Sequence, residues 1–290
     1  MVLPFSISTV AYSGYSIDIA LDSIHSIGVR NIELALILGA VYGLTEQAVN
    51  VEYAQKIKNQ LDVRGMKCTS LASHCQMNAD NCNEQLKKRV KICAVLGCKL
   101  LILYAPRGCS LNEFTRLVEE SLQLSKQLGV RILIENVGDQ LPYIFNGSHD
   151  LESFFSSVDS NVMGLNYDPG NFASHRPFDN IAQDAIACLN ACEHLHIKDV
   201  VCTDTHYEFC EVGDGICDYS KLLIEMKKRA KPIMFSIEAP YGLHRTLAGE
   251  ANFKPIEERL SISEIEEKLC RSIEFIGRYL PLELNSYTAQ

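Results

Sequence analysis

The chain has 290 residues, a net charge of −9, and 47% hydrophobic against 22% charged residues. That balance allows a sizeable core, and the acidic charge argues against a nucleic-acid partner, which favours a basic face. No window approaches 18 uninterrupted apolar residues, so no membrane span is expected.

From the N-terminus, FSIST (5–9) reads as a strand and residues 16–28 as an amphipathic helix. NIEL (31–34) is followed by helical spacing over 51–62, CTSLASH (68–74) by 83–97, and LLILYAP (100–106) by 111–129. ILIEN (132–136), VMGLNYD (162–168) and HLHIKDV (194–200) continue the strands. A helix over 218–230, the strand IMFSIEAP (233–240) and a helix over 263–280 complete the series. Gly28, Gly97 and Gly129 fall where helices stop, as C-capping glycines do.

Eight strands alternating with helices predict a parallel sheet, and a chain of this length suits a (β/α)8 TIM barrel. An open doubly wound sheet is the runner-up. No G-x-G-x-x-G follows the first strand, which weakens a dinucleotide-binding alternative. No Pro/Gly/Ser-rich linker divides the chain, so residues 1–290 are expected to form one domain. The stretch 239–261 is long for a connection and is expected to be a functional loop. The twelve cysteines include no C-x-x-C pair, and MVLPFSISTV lacks the basic and long apolar regions of a signal peptide. A cytoplasmic protein with reduced, mostly buried thiols is therefore expected, in preference to a cysteine zinc site.

In a barrel, chemistry sits at the C-terminal ends of the strands. Four consecutive strands end there in polar groups: Glu135, Asp168, His196 and Glu238. Bare charges buried together cost several kcal/mol each, roughly. A divalent cation would resolve this, with an oxygen-rich set and one nitrogen suiting Mn²⁺, Mg²⁺ or Co²⁺, and Zn²⁺ as the alternative. Ordinary ion pairs, for example Glu135 or Glu238 with Lys198, are the simpler explanation for any one acid.

ILIENVG, GLNYDPGNF, HLHIKDV, VGDGICDY and FSIEAP, in this order, resemble the xylose-isomerase-like barrel superfamily of sugar isomerases and epimerases, dehydratases and apurinic endonucleases. The resemblance implies a metal site made of Glu135, Asp168, His196 and Glu238, with the two glutamates also moving protons. It implies a small carbohydrate substrate, and homo-oligomers are frequent among such proteins. Many relatives have a histidine three residues after the aspartate. Here that position is Asn171, which argues against a multi-zinc nuclease.

The expected activity is a metal-dependent isomerase or epimerase of a sugar, keto sugar or related polyol, working through a metal-stabilised enediolate with Glu135 and Glu238 as acid and base. A dehydratase on the same site is the first alternative. A Schiff-base aldolase using Lys198, or a nuclease, comes after it. Lys198, His74, Glu33, Asn171 and Arg107 are expected to bind substrate, with His74 a less favoured metal ligand. His194 is expected to be a core histidine one layer below His196. GDG at 213–215 is expected to be a tight turn, and His244 and Arg245 to be solvated loop charges, with binding of a substrate phosphate or carboxylate as the less favoured alternative.

Overall fold

The computed structural model describes residues 5–283. The expected domain reaches 1–4 and 284–290, which lie outside the described residues, as does the start of MVLPFSISTV. The strands are β1 Phe5–Ser8, β2 Asn31–Ala35, β3 Lys67–Ala72, β4 Leu100–Leu103, β5 Arg131–Glu135, β6 Met163–Tyr167, β7 His194–Ile197, β8 Asp199–Cys202, β9 His206–Cys210, β10 Met234–Ile237, β11 Leu243–Thr246 and β12 Ala251–Phe253. The α-helices are α1 Ile17–Ser26, α2 Val51–Val63, α3 Cys82–Leu96, α4 Leu111–Leu117, α5 Glu119–Leu128, α6 Leu151–Ser157, α7 Pro169–His175, α8 Ile181–Cys188, α9 Tyr219–Lys228 and α10 Ile262–Gly277.

Eight strands pair in parallel and close in the order β1-β10-β7-β6-β5-β4-β3-β2, so the TIM barrel holds and the open sheet falls away. Alternation along each strand divides the side chains. Ile132 and Ile134 of β5, Leu195 and Ile197 of β7, and Phe235 and Ile237 of β10 join the hydrophobic core. Their neighbours face inward and are unusually polar: Ser6, Glu33, Ser70, Glu135, Asn166, His194, His196 and Ser236 are all fully buried. Hydrogen bonds satisfy much of this layer, including Ser6 Oγ to Ser236 Oγ at 2.7 Å and Ser70 Oγ to Glu33 Oε2 at 2.8 Å. The second bond depends on a register shift between β2 and β3, where Ile32 pairs with Cys68 but Glu33 with Ser70.

Three expectations need correction. The helix over 111–129 breaks at Val118 into α4 and α5. HLHIKDV is not one strand: β7 stops at Ile197, and Asp199 begins β8. The stretch 239–261 is not irregular, because β11 and β12 join β8 and β9 in an antiparallel sheet of order β12-β11-β9-β8.

The turn at 213–215 is pinned by Asp199. Its Oδ2 accepts from the backbone N–H of Gly213 (3.0 Å) and Gly215 (3.1 Å), and its Oδ1 from Val200 (3.0 Å) and Cys217 (3.1 Å). A Cβ on Gly215 would collide with this carboxylate. All twelve cysteines are free, and eight of them are buried.

Candidate active site and metal centre

β5 ends in Glu135, while Asp168 and Glu238 lie one residue beyond β6 and β10. Asp168 is fixed by the turn it makes. It caps α7 by accepting the Asn171 N–H on Oδ1 at 3.0 Å, and Pro169 occupies the first helical turn. Asn136 brackets its backbone, accepting from Asp168 N at 2.8 Å and donating to Asp168 O at 2.9 Å. This leaves Asp168 Oδ2 turned toward the other acids.

Nδ1 of His196 lies 3.2 Å from Glu135 Oε1, 3.2 Å from Glu238 Oε2 and 4.0 Å from Asp168 Oδ2. One donor atom from each of Glu135, Asp168, His196 and Glu238 falls within 4.8 Å of the other three. Glu135 Oε2 and His196 Nδ1 are buried and make no hydrogen bond. Three carboxylates, one imidazole nitrogen and unsatisfied buried donor atoms form a set that fits a divalent cation.

Burial alone would raise Glu33, Glu135 and Glu238, but His196 overrides it and all three lie below the ordinary glutamate range. His196 is the counterpart: burial pushes it down, and Glu238, Glu33 and Glu135 together raise it well above an ordinary histidine. Asp168 is raised by burial and by the carboxylates of Glu135 and Glu238, against the pull of Lys198. Positive charge is what this cluster demands.

Lys198 sits in the break between β7 and β8, with Nζ 2.6 Å from Asp168 Oδ2 and 2.8 Å from Glu238 Oε2. Burial presses it toward the neutral amine, but Asp168 and Glu238 outweigh burial and keep its pKa raised. The ion pair expected for Lys198 is thus present with Glu238 and Asp168, not with Glu135. His74 approaches from beyond β3, with Nε2 3.2 Å from Glu135 Oε2 and its ring stacked on Tyr104 at 3.9 Å. His74, Tyr104, Lys198, Glu238 and Arg245 line a cavity of about 700 Å³ whose other walls include Val10, Ile37, Leu38, Phe209 and Leu243.

Three residues expected to bind substrate stand elsewhere. Glu33 lies beneath the mouth, not in it. Fully buried, it accepts from His196 Nε2 at 3.0 Å, Ser70 Oγ at 2.8 Å and Ser236 Oγ at 3.1 Å. Asn171 is also fully buried and braces an acid: Nδ2 donates to Glu135 Oε1 at 2.8 Å and to Asn136 O at 2.9 Å. Arg107 is exposed, pairs with Asp139, and donates to the Pro142 carbonyl at 3.2 Å, away from the cavity walls. His194 occupies the lower layer as expected, bonded to Asn166 Oδ1 at 2.8 Å and Ser236 Oγ at 3.2 Å. His244 stacks edge-on against His206.

Arg245 departs most from expectation. It is a β11 residue, 7% exposed, reaching Asn171 Oδ1 and donating to Gly170 O at 3.3 Å. Asn136 and Tyr104 are parts of the site not assigned from sequence. Asn136 and Tyr104 carried a signal, since both follow strand ends within ILIEN and LLILYAP.

The profile of the xylose isomerase-like TIM barrel matches residues 21–259. No curated protein matches the chain in sequence. Among solved structures, the fold resembles the zinc-binding IOLI protein (TM-score 0.71, 15% identity, covering 97% of this chain and 100% of that one). It also resembles D-psicose 3-epimerase with D-tagatose from Clostridium cellulolyticum H10 (0.68, 11%, 97% and 100%). A third is the probable 3-DHS dehydratase AsbF from Bacillus anthracis (0.64, 12%, 92% and 99%).

Proposed function

The chain belongs to the xylose isomerase-like TIM barrel family, and from that premise we propose that it is a divalent-metal-dependent isomerase or epimerase of a sugar, keto sugar or related polyol. The observation that carries this proposal is the convergence of Glu135, Asp168, His196 and Glu238 within 4.8 Å, beside a roomy cavity that Glu238 lines. The likeness to D-psicose 3-epimerase, an enzyme of a carbohydrate, is consistent with it. Free thiols throughout, and no helix among the described residues long and apolar enough to cross a membrane, accord with a cytoplasmic location.

A divalent ion held by these four side chains would polarise a substrate carbonyl and acidify the neighbouring C–H. The chain's own residues supply the rest. Glu135 and Glu238 approach the centre from strands on either side of β6 and β7, so one takes a proton and the other returns it. Asn171 Nδ2 donates to Glu135 Oε1, and Oε2 faces His74 Nε2 at 3.2 Å, so the two oxygens have separate surroundings. Lys198 holds Glu238 ionised and extends its ammonium to the cavity wall, where it binds a substrate oxygen. The His74–Tyr104 stack walls the cavity beside Glu135.

A dehydratase using the same acids is the second reading, supported by the likeness to AsbF. A Schiff-base aldolase is disfavoured, because an ammonium clasped by two carboxylates has no free lone pair with which to attack a carbonyl. NMR in D₂O with a panel of keto sugars tests the proposal. Solvent deuterium at the carbon beside the carbonyl, lost in Glu135→Gln and after chelation, is expected. A deoxy or alkene product would establish the dehydratase, and no exchange with any sugar would overturn both.

A further inference from the structure

We infer that Arg245 forms an oxyanion subsite, so that the substrate carries a carboxylate or phosphate group beside its reacting carbonyl; this rests on the cavity being the substrate site proposed above. Among the described residues no carboxylate lies within ion-pair distance of its guanidinium, although Arg245 is only 7% exposed. Buried arginines are ordinarily paired, because an unpaired charge removed from water is costly. Its partners here are neutral oxygens: Asn171 Oδ1, Gly170 O at 3.3 Å and Ser174 Oγ at 3.3 Å, with Phe209 stacked 5.5 Å from the guanidinium carbon.

The placement is built rather than incidental. A Cβ on Gly138 would fall 2.5 Å from the guanidinium carbon, so glycine at that position leaves room for the group. The antiparallel sheet β12-β11-β9-β8 carries both Arg245 and Phe209 to the cavity that Lys198 and Glu238 also line. A planar cation with donors to spare, in a partly apolar chamber, suits a charged oxygen pair better than a neutral hydroxyl. The volume of about 700 Å³ leaves room for such a substituent on a monosaccharide-sized ligand.

Inorganic phosphate, glycolate and neutral glycerol titrated calorimetrically into the metal-loaded protein, and again after chelation, test the inference. The wild type is expected to prefer at least one anion over glycerol by roughly tenfold or more, and Arg245→Gln to lose that preference while Arg245→Lys retains part of it. Phosphate and glycolate distinguish the two classes of anion. A preference that survives in Arg245→Gln belongs to the metal and overturns the inference. So does a wild type that binds neither anion better than glycerol, a result that needs no variant to fold. Failure of the isomerase proposal reads out separately, as absent deuterium exchange with anion binding intact.

Discussion

His196 Nε2 donates to Glu33 Oε2 at 3.0 Å, and this one bond decides which ring nitrogen faces the mouth. Glu33 is held as a carboxylate by His196, so it accepts and Nε2 carries the hydrogen. Nδ1 is left for the cluster of Glu135, Asp168 and Glu238. Metal-binding histidines commonly rely on such an outer partner. Glu33→Ala should therefore weaken Mn²⁺ or Zn²⁺ binding by roughly 10- to 100-fold in calorimetric titration. Glu33→Gln, whose amide oxygen still accepts, should lose less, and unchanged affinity in both variants would remove Glu33 from the centre.

Asn171 joins two parts of the site, since its amide nitrogen reaches Glu135 while its oxygen takes Arg245. Asn171→Leu leaves both partners buried without it, which should cost about 1–3 kcal/mol of stability. Turnover should fall more than substrate affinity, because Glu135 loses its brace. Urea unfolding and steady-state kinetics check the two halves of this expectation, and a stable, fully active Asn171→Leu would contradict it.

Four backbone N–H groups converge on Asp199. Asp199→Ala orphans them and should destabilise the protein by roughly 3 kcal/mol or more. Amide exchange should rise first at Gly213, Gly215 and Cys217. Exchange that stayed slow at those three amides would show that the turn holds without the carboxylate.

Glu211 fastens the end of β9 to α10 through Lys268 Nζ at 2.8 Å and Arg271 Nε at 2.9 Å. Burial would raise its pKa, but the two cations outweigh burial and depress it. The folded state therefore binds this proton less readily than the unfolded chain. The stabilisation is complete above the ordinary glutamate range near pH 4.5 and is lost as pH falls through the lower folded value. Urea unfolding between pH 3 and 6 should show a smaller acid loss in Glu211→Gln than in the wild type. Identical slopes would mean that the pair contributes nothing.

Much of the barrel was legible because its strands are apolar on the helix-facing side and end in recognisable chemistry. Glu135, Asp168, His196 and Glu238 come together because a strand-end position in a parallel barrel determines which face a side chain takes. What was illegible had weaker signals. β8 and β12 are short, β8 buried only in its first half and β12 largely exposed, so no alternation marks them. α7 is seven residues opened by Pro169, and its start reads as a turn until Asp168 is seen capping it. HLHIKDV alternates without a break, so nothing local announces that Ile197 ends one sheet and Asp199 starts another. Glu33 was expected at the mouth because it lies near the end of NIEL, yet its level is set by the shifted register against Ser70. Arg245 owes its place to the small sheet, whose pairing spans residues far apart in the chain.

The central claim is that one divalent cation is held by Glu135, Asp168, His196 and Glu238. Anomalous diffraction at the metal's absorption edge, on crystals of protein loaded with Mn²⁺, tests it most directly. A peak bounded by these four side chains, absent in Glu135→Gln crystals grown in the same way, is the predicted result. A cluster without a peak in metal-saturated crystals, with Lys198 still bridging Asp168 and Glu238, would contradict it.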